Sequence, residues 1–489
     1  LREAEAADVI PGHLFLTGLG KFDAVAALAQ ALGPKGWLTE VDAEPYRRDW
    51  LNRFGVSPVG VARPANTLEV VKVIEICRAA GFGVVPQGGN TGLCGGAVAE
   101  TSDAVILSLS RMTAIGAPDA DSGSILVEAG AVLGALHDAL KSHGLTFPMH
   151  LGSEGSATIG GLVSTNAGGS QAFRYGMMQD LVLGLEVVMP DGTVWDGLRA
   201  VQKDNAGYQL RKLFCGAEGT LGVVTRAVLR LYPAPTRRAT ALLVMRDHGA
   251  MIAFGTQLRC EAGEILTALE FFSDLGLGLV LKHFADISYP LGSRGEVYLL
   301  VEVAAGSLRF PLEEILSSLL EWGMEQGLVN DGALAMSEAQ RQHLWRLREE
   351  QPEGQRLEGE QIKCDIAVPP GAIAQFIAEG NSISEAILSG VRINPFGHLG
   401  DGNIHYNLSP PAGATGFGGK AAEIASALAA LASKMGGSFA AEHGLGRSKI
   451  ALADALRGPV ERTLMARVKN AFDPHGNMNP DVLIRNSEK

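Results

Sequence analysis

Several features are scarce in this chain of 489 residues. Its five cysteines are scattered and form no C-x-x-C pair, so they predict no disulfide framework, and we expect a reducing, cytoplasmic setting. No apolar run reaches the length of a transmembrane helix, and no signal peptide is predicted. Because the chain begins at Leu1 rather than Met, its natural start is left open. Positive charge is also scarce, with 41 Lys and Arg against 53 Asp and Glu, so we expect no nucleic-acid partner.

What the chain does have is apolar residues and glycine. A hydrophobic share of 46% predicts a globular protein with a sizeable core, and the length allows two to four domains. The 62 glycines are well above the usual share of about 7%. Glycine loses more conformational freedom on folding than other residues, so this abundance indicates places where the backbone closely approaches a ligand or another segment.

The spacing of apolar residues predicts a mixture of helices and strands. Asn66 and Glu69 form a capping-box pattern before a helix over 68–80 that ends at Gly81. Two strands on either side of the Pro-Asp-Gly at 190–192 are typical of a hairpin. We expect further strands at 83–85, 104–109, 125–127 and 223–232, a domain boundary near 233–238, a second α/β layer beyond it, and a loop or hinge over 346–361.

Three glycine-rich segments stand out. The first, Pro86 to Gly96, follows a strand and lacks both the Lys-Ser/Thr ending of a Walker A loop and the G-x-G-x-x-G dinucleotide pattern. Consecutive main-chain N–H groups in such a loop can form a concave anion site. The second covers 152–169 and the third 216–222. Each segment also has an alternative that involves no ligand. The first would be a sharp turn packed on the sheet, the second a mobile loop, and the third a plain turn before a strand.

Histidine and glutamate cluster in the C-terminal half. His398 and His405 stand seven residues apart across a glycine turn, and Glu442 and His443 follow later. Two imidazoles and a carboxylate are a common ligand set for a divalent metal. Asp401 fits a turn residue better than a ligand. The alternative is that these histidines are ordinary core or loop residues.

The three glycine segments, in this order, resemble those of the vanillyl-alcohol oxidase type of flavoprotein, in particular its D-2-hydroxyacid dehydrogenase branch. The resemblance extends from about Trp37 to Pro480. It implies an α+β fold with four parts: an N-terminal helical segment at 1–40, a two-subdomain PCMH-type FAD-binding domain at 41–235, an α/β substrate (cap) domain carrying the metal motif at 236–430, and a C-terminal helical segment at 431–489 that returns to the FAD domain.

The resemblance also implies how FAD is held. Some relatives attach FAD through a histidine of the first loop, and this loop has none, so noncovalent FAD is expected. Leu162 stands where relatives often carry Asn. The implied cofactor contacts are Pro86, Gln87, Gly88, Gly89, Asn90, Thr91, Gly92, Gly152, Ser153, Gly155, Ser156, Ile159, Gly160, Gly161, Asn166, Glu218, Gly219, Gly222 and Val223.

For the reaction itself, the resemblance implies His398, His405 and Glu442 as metal ligands, with zinc preferred and iron and manganese left open. It implies His443 as the catalytic base, in contact with substrate. The other implied substrate contacts are Arg348, Lys363 and Asn407. Pro352 stands where some relatives carry a hydroxyl residue that touches substrate, which leaves the substrate's identity open.

The expected function is therefore FAD-dependent oxidation of a D-2-hydroxy acid, D-2-hydroxyglutarate or D-lactate, to the 2-oxo acid by hydride transfer to flavin. Electrons would pass to a quinone, a cytochrome or an electron-transfer flavoprotein, and oxygen is disfavoured by analogy. A homodimer is left open. Two rival hypotheses remain: a metallohydrolase that uses the same His, His and Glu cluster, and a nucleotide-binding module without catalysis.

Overall fold

The computed structural model describes residues 18–485, and every element below lies in that range. The part of the N-terminal segment before residue 18 lies outside the described residues. The first unit is a sheet of strand order β1-β2-β4-β3 in which β2, β4 and β3 run parallel. Its elements are α1 (Lys21–Leu32), β1 (Trp37–Leu38), α2 (Glu40–Arg47), β2 (Gly60–Ala62), α3 (Thr67–Ala80), β3 (Gly83–Gln87) and β4 (Ala104–Ser108).

The Asn66 half of the capping pattern at the start of α3 forms as predicted, whereas Glu69 reaches back one residue beyond the N-cap. The Asn66 side chain accepts the Glu69 N–H at 3.0 Å, and the Glu69 carboxylate accepts the Ala65 N–H at 2.8 Å. The helix ends at Gly81, which adopts φ +69°, a conformation that costs a residue without Cβ little. The helix thereby delivers the chain into β3 and the first glycine loop.

The second unit is an antiparallel sheet of order β5-β9-β7-β8, beside the short β6–β10 pair. The expected hairpin is present: Asp191 accepts the Thr193 N–H in the turn between β7 and β8. Its elements are β5 (Ser124–Glu128), α4 (Leu133–Lys141), β6 (Leu145–Thr146), α5 (Ile159–Thr165), α6 (Ala172–Tyr175), α7 (Met178–Leu181), β7 (Val182–Val188), β8 (Val194–Gly197), α8 (Leu210–Phe214), β9 (Val223–Arg230) and β10 (Tyr232–Pro233).

The third unit is a seven-stranded antiparallel sheet of order β14-β11-β13-β12-β16-β17-β15. Its elements are β11 (Arg237–Met245), α9 (His248–Ala262), β12 (Leu266–Ser273), α10 (Asp274–His283), β13 (Val297–Ala305), α11 (Leu312–Glu325), β14 (Val329–Leu334), α12 (Glu338–Glu349), α13 (Gln351–Arg356), β15 (Ile362–Ala367), a short 3₁₀ turn (Pro370–Ala372), α14 (Ile373–Ile387), β16 (Arg392–His398), β17 (Asn403–Ser409) and α15 (Ala421–Lys434).

The two faces of this large sheet differ in chemistry. One face is apolar throughout and packs under α9, α11, α14 and α15. On the other face, α10 and α12 cover only part of the sheet, with Leu344 and Leu347 of α12 against Phe272 and Phe396. The rest of that face carries polar side chains, and the candidate active site lies there.

The loop or hinge expected over 346–361 was wrong, because α12 and α13 occupy most of it. Ser337 caps α12 by accepting the Gln340 N–H, and Leu344 and Leu347 supply a buried stripe. Pro352 lies in the first turn of α13, where a missing N–H breaks no helical hydrogen bond. The charge and proline content of this segment favoured a loop in the sequence analysis, but tertiary packing stabilises two helices there.

The last helices are α16 (Ile450–Leu456) and α17 (Pro459–Phe472). After α17 the chain contacts the first sheet: the Val84 N–H donates to Asn477, and the Asn479 side chain donates to the carbonyls of Gly96 and Glu218. Over residues 18–485, no helix combines the length and apolarity that a membrane span requires.

Candidate active site

The first two glycine segments touch each other. A Cβ added to Gly89 would lie 1.9 Å from the Ser156 carbonyl oxygen, and one added to Gly88 would lie 2.4 Å from Thr158 Oγ1. Both positions therefore need glycine for close backbone approach. By contrast, Cβ atoms at Gly92, Gly152 and Gly155 would meet no described atom within 4 Å. The two loops pack together at one end and border open space at the other.

Main-chain donors line this open space. Within residues 18–485, the N–H groups of residues 89–92 donate to no protein acceptor. Side chains of the loop hold its shape instead: Gln87 donates to the carbonyls of Tyr46 and Ala97, and Asn90, at φ +52°, donates to Arg48. Thr158 Oγ1 is buried without a described partner. Consecutive free N–H groups and an orphaned hydroxyl fit a bound pyrophosphate.

We call the open space bordered by Gly92, Gly152 and Gly155 the glycine-lined cleft. The predicted cofactor residues lie on three segments: the end of β3 and the loop after it (Pro86, Gln87, Gly88, Gly89, Asn90, Thr91, Gly92), the loop before α5 with that helix and its C-cap (Gly152, Ser153, Gly155, Ser156, Ile159, Gly160, Gly161, Asn166), and the turn into β9 with the first residue of that strand (Glu218, Gly219, Gly222, Val223). The second segment is thus neither a mobile loop nor wholly irregular, because α5 lies within it.

Glu218 connects the third glycine segment to the histidine cluster. Its carboxylate accepts the N–H groups of Leu445 and Gly446, each at 2.9 Å. Burial raises the pKa of Glu218 to about 7, although these N–H groups oppose the rise. A Cβ added to Gly219 would lie 2.9 Å from Pro86, so the same turn also packs on the first loop. The cleft and segment 442–446 are therefore neighbours.

The possible metal ligands gather on the polar face of the large sheet. His398 ends β16, His405 lies in β17 beside it, and Glu442 arrives from the segment after α15. One ligand atom from each of the three lies within 4.8 Å of the others, and His398 Nε2 is 3.5 Å from Glu442 Oε1. Two imidazoles and a carboxylate at this spacing fit one divalent ion with a position left open. Asp401 lies in the turn, accepting the Asn403 N–H.

A buried carboxylate orients the first ligand. Glu270, 1% exposed in β12, faces His398 in the strand register, and its Oε1 lies 2.6 Å from His398 Nδ1. This leaves Nε2 directed at the ligand cluster, the arrangement seen around metal-bound histidines. Burial lowers the pKa of His405 to about 4, which keeps that ring neutral as a ligand must be.

A second buried carboxylate holds His443. Asp365 Oδ2 lies 3.2 Å from His443 Nδ1 and accepts the main-chain N–H groups of Glu442 and His443. Burial alone would raise the pKa of Asp365, but His443 and Lys449 keep it below its ordinary value. An ionised Asp365 therefore fixes the ring with Nε2 facing outward.

The expected substrate contacts lie on the same face. Lys363 of β15 is directly opposite Asn407 of β17, one row beyond the Asp365–His405 pair. Arg348 reaches the face from α12, with Nη2 2.9 Å from Glu270 Oε2 and its guanidinium over the Phe396 ring. Arg348 Nε is buried without a described partner, and partial burial lowers the pKa of Lys363. Two cations and an amide thus border the ligand cluster.

Sequence reasoning missed Glu270 and Asp365. Each is the lone carboxylate of its strand, Leu266–Ser273 and Ile362–Ala367 respectively, and each is buried. A charge at such a position costs free energy unless it is paired. That cost was the available signal, but the partners come from other strands and could not be identified along the chain.

Comparison with known families decides what this arrangement belongs to. Residues 58–197 match the family model described as FAD binding domain, and residues 234–483 match the one described as FAD linked oxidases, C-terminal domain. The chain belongs to the FAD-linked oxidase family. As a member of this family, the protein is a flavin-dependent oxidoreductase. The family resemblance expected from the glycine segments is confirmed.

Curated relatives of this FAD-linked oxidase span nearly the whole chain. A mitochondrial D-2-hydroxyglutarate dehydrogenase of Arabidopsis thaliana is 34% identical, over 99% of this chain and 85% of the relative. A D-2-hydroxyglutarate dehydrogenase of Xanthomonas citri pv. viticola is 36% identical, over 94% of this chain and 96% of the relative. Each alignment covers most of this chain and most of the relative, so the similarity is not confined to one domain.

Solved structures establish the fold. A p-cresol methylhydroxylase with substrate bound aligns with a TM-score of 0.74 at 17% identity, over 96% of this chain and 98% of that one. A 4-ethylphenol oxidase from Gulosibacter chungangensis aligns with a TM-score of 0.72 at 16% identity, covering 95% and 97%. The expected α+β class with a PCMH-type FAD-binding fold is confirmed.

Proposed function

We propose that this flavin-dependent enzyme oxidises a D-2-hydroxy acid to the 2-oxo acid, with D-2-hydroxyglutarate as first candidate and D-lactate as second. The observation that carries the proposal is one polar sheet face, bordering the glycine-lined cleft, on which a metal-type cluster, a His–Asp pair and two cations converge. The names of the relatives from Arabidopsis and Xanthomonas support the substrate class.

FAD fits the cleft noncovalently. The free N–H groups of residues 89–92 suit the pyrophosphate, and the missing Cβ atoms of Gly92, Gly152 and Gly155 leave room for the cofactor. When bound there, FAD supplies an isoalloxazine ring that accepts hydride. The protein's part is to hold and orient the cofactor beside segment 442–446, which Glu218 fastens to the cleft.

A divalent metal, zinc by preference, fits His398, His405 and Glu442. When bound there, it supplies a Lewis acid that lowers the pKa of the substrate's C2 hydroxyl. The residues around the cluster support this use, because Glu270 orients His398 and burial keeps His405 neutral.

His443 is the proposed base. With Nδ1 facing Asp365, the ring presents Nε2 to the substrate side and takes the C2 hydroxyl proton there. The Asp365 carboxylate then stabilises the imidazolium, as the aspartate does in a catalytic triad. The contact between Asp365 and His443 supports this proposal, because it would provide both orientation and charge compensation for proton transfer.

Arg348, Lys363 and Asn407 are the proposed substrate contacts. A guanidinium offers a planar pair of donors to a carboxylate, and an ammonium adds a point charge. Arg348 has limited freedom, because Glu270 and Phe396 fix its position. A carboxylate held between these groups lies next to the metal cluster and His443.

Further expectations stay proposals. These are the division at 41–235, 236–430 and 431–489, the cytoplasmic location, and a quinone, cytochrome or electron-transfer flavoprotein as acceptor. Metallohydrolase activity is the remaining rival, and it leaves the glycine-lined cleft without a role.

The colour and substrate range of the purified protein test the proposal. We expect bound flavin absorption and dye-coupled activity on D-2-hydroxy acids but not on their L enantiomers. A colourless, metal-loaded protein would favour the metallohydrolase, and a preference for L substrates would contradict the branch assignment.

The base has its own test. Replacement His443→Ala should slow flavin reduction by about 10²- to 10⁴-fold while FAD stays bound. His143→Ala, at an exposed histidine beyond α4, is the control and should reduce flavin normally. Normal reduction in His443→Ala would remove the assigned base.

A further inference from the structure

A second group of metal-type ligands lies in the FAD-binding part of the chain. His137 comes from α4, and His150 and Glu154 come from the loop before α5. One ligand atom of each lies within 4.8 Å of the others. His150 and Glu154 are each more than 40% exposed, so an ion from solvent can reach them. None of these residues belongs to the active-site cluster described above.

The separations match those around a single small ion. Glu154 Oε2 lies 3.3 Å from His150 Nδ1 and 3.6 Å from His137 Nδ1. Ligand atoms bound to zinc at about 2.0–2.1 Å in a tetrahedron stand about 3.3 Å apart. The two imidazole rings are 4.8 Å apart between centroids and tilted by 41°, so both can direct a nitrogen at one point.

The surroundings of His137 determine which nitrogen is available. His137 Nε2 lies 3.2 Å from the Phe147 carbonyl oxygen, which can only accept, so Nε2 carries the hydrogen. In the neutral ring, Nδ1 then has a lone pair facing the Glu154 carboxylate. A backbone carbonyl on the far nitrogen is a usual partner of metal-bound histidine.

A lone pair facing a carboxylate is repulsive unless a proton or a metal ion lies between them, and a metal ion would in addition engage the His150 nitrogen, which lies 3.3 Å from the same carboxylate. We propose that His137, His150 and Glu154 bind a divalent transition-metal ion of the zinc class, with water at the fourth position. The ion joins α4 to the loop containing Gly152, Ser153 and Gly155, already linked by the Gly134 N–H to the Glu154 carbonyl at 2.9 Å. Its role is structural: it holds the loop that leads into α5. The inference does not depend on the proposed function.

The test counts metal in the FAD-loaded enzyme. We would strip metal with a chelator, retain FAD, and titrate Zn²⁺ or Co²⁺ by equilibrium dialysis, following Co²⁺ absorption at wavelengths beyond the flavin bands. Wild type should bind one more equivalent than His137→Gln. The matched control His143→Gln, at an exposed histidine six positions further along, should bind as many ions as wild type.

Two more measurements keep the proposal falsifiable. His150→Gln should also lose one equivalent, and it serves if His137→Gln fails to fold. Added Zn²⁺ should raise the melting temperature of His398→Gln, which keeps this site, more than that of the double variant His398→Gln/His137→Gln. Equal metal content in wild type, His137→Gln and His150→Gln would overturn the proposal and leave the three residues as a surface polar cluster.

Discussion

The glycine-lined cleft and the polar sheet face are built on opposite principles. The cleft depends on the absence of side chains. Glycines at 88 and 89 let two loops touch, and the N–H groups of residues 89–92 have no acceptor among the described residues. On the sheet face, side chains form the site, and two of its histidines each face a buried carboxylate, His398 facing Glu270 and His443 facing Asp365. Main-chain sites need shape, whereas side-chain sites need orientation and charge balance.

Breaking a partner on the sheet face should have the largest effect. Asp365→Asn keeps the size of the side chain but removes the charge that stabilises a protonated His443. We expect flavin reduction to slow by about 10²- to 10⁴-fold, up to the whole contribution expected of the proposed base His443. Stopped-flow reduction of the FAD-loaded enzyme measures this. Unchanged reduction with intact metal and FAD would show that Asp365 does not support His443.

Glu270→Gln tests the partner of the metal-type ligand. It uncouples His398 and leaves Arg348 buried without its counter-charge, so we expect metal affinity to fall about 10- to 100-fold and the free energy of unfolding to fall by about 3–5 kcal/mol.

Glu302→Gln is the matched control for this change. Glu302 is a buried carboxylate of the same sheet, 3% exposed, and its contacts include Arg341, Thr240 and Trp345 rather than His398 or Arg348. It should lose stability and keep metal affinity. Equal metal loss in both variants would contradict a specific role for Glu270.

The cleft should respond to added atoms rather than to lost charge. Gly92→Ala places a methyl group in the open space and should weaken FAD binding by about 1–3 kcal/mol, the usual cost of overfilling a packed site. Flavin release, measured by fluorescence, gives the affinity. Gly371→Ala, also in open space but in the 3₁₀ turn of the third unit, is the control. Unaltered FAD affinity in Gly92→Ala would show that the cofactor lies elsewhere.

Glu218 should affect the pH dependence of stability. Its pKa of about 7 in the folded protein, against 4.5 as the ordinary value, means that the folded state holds the proton longer. The free energy of unfolding therefore falls as pH rises through this window. Glu218→Gln should flatten that fall, as measured by urea unfolding at a series of pH values. Identical slopes would contradict the assignment.

Much of this protein was readable along the chain. The cap at Asn66, the stop at Gly81 and the Asp191 turn depend on residues within a few positions of one another, and all three form as predicted. The glycine segments and the spacing of His398 and His405 could also be recognised in the sequence, because glycine and histidine in such patterns are seldom explained by local structure alone. Features of this kind can be predicted from the chain because they depend on residues close together in it.

The helices of segment 346–361 and the partners of the two histidines depend instead on contacts between distant segments. Most of residues 346–356 are helical because Leu344 and Leu347 pack on the sheet, and no local sequence pattern predicts that contact. Glu270 meets His398 and Asp365 meets His443 across 128 and 78 residues of chain, respectively. Local hydrogen bonds and backbone preferences act over a few residues and leave their mark in the sequence. Burial and charge pairing act between strands, so their partners are defined only once the sheet has formed.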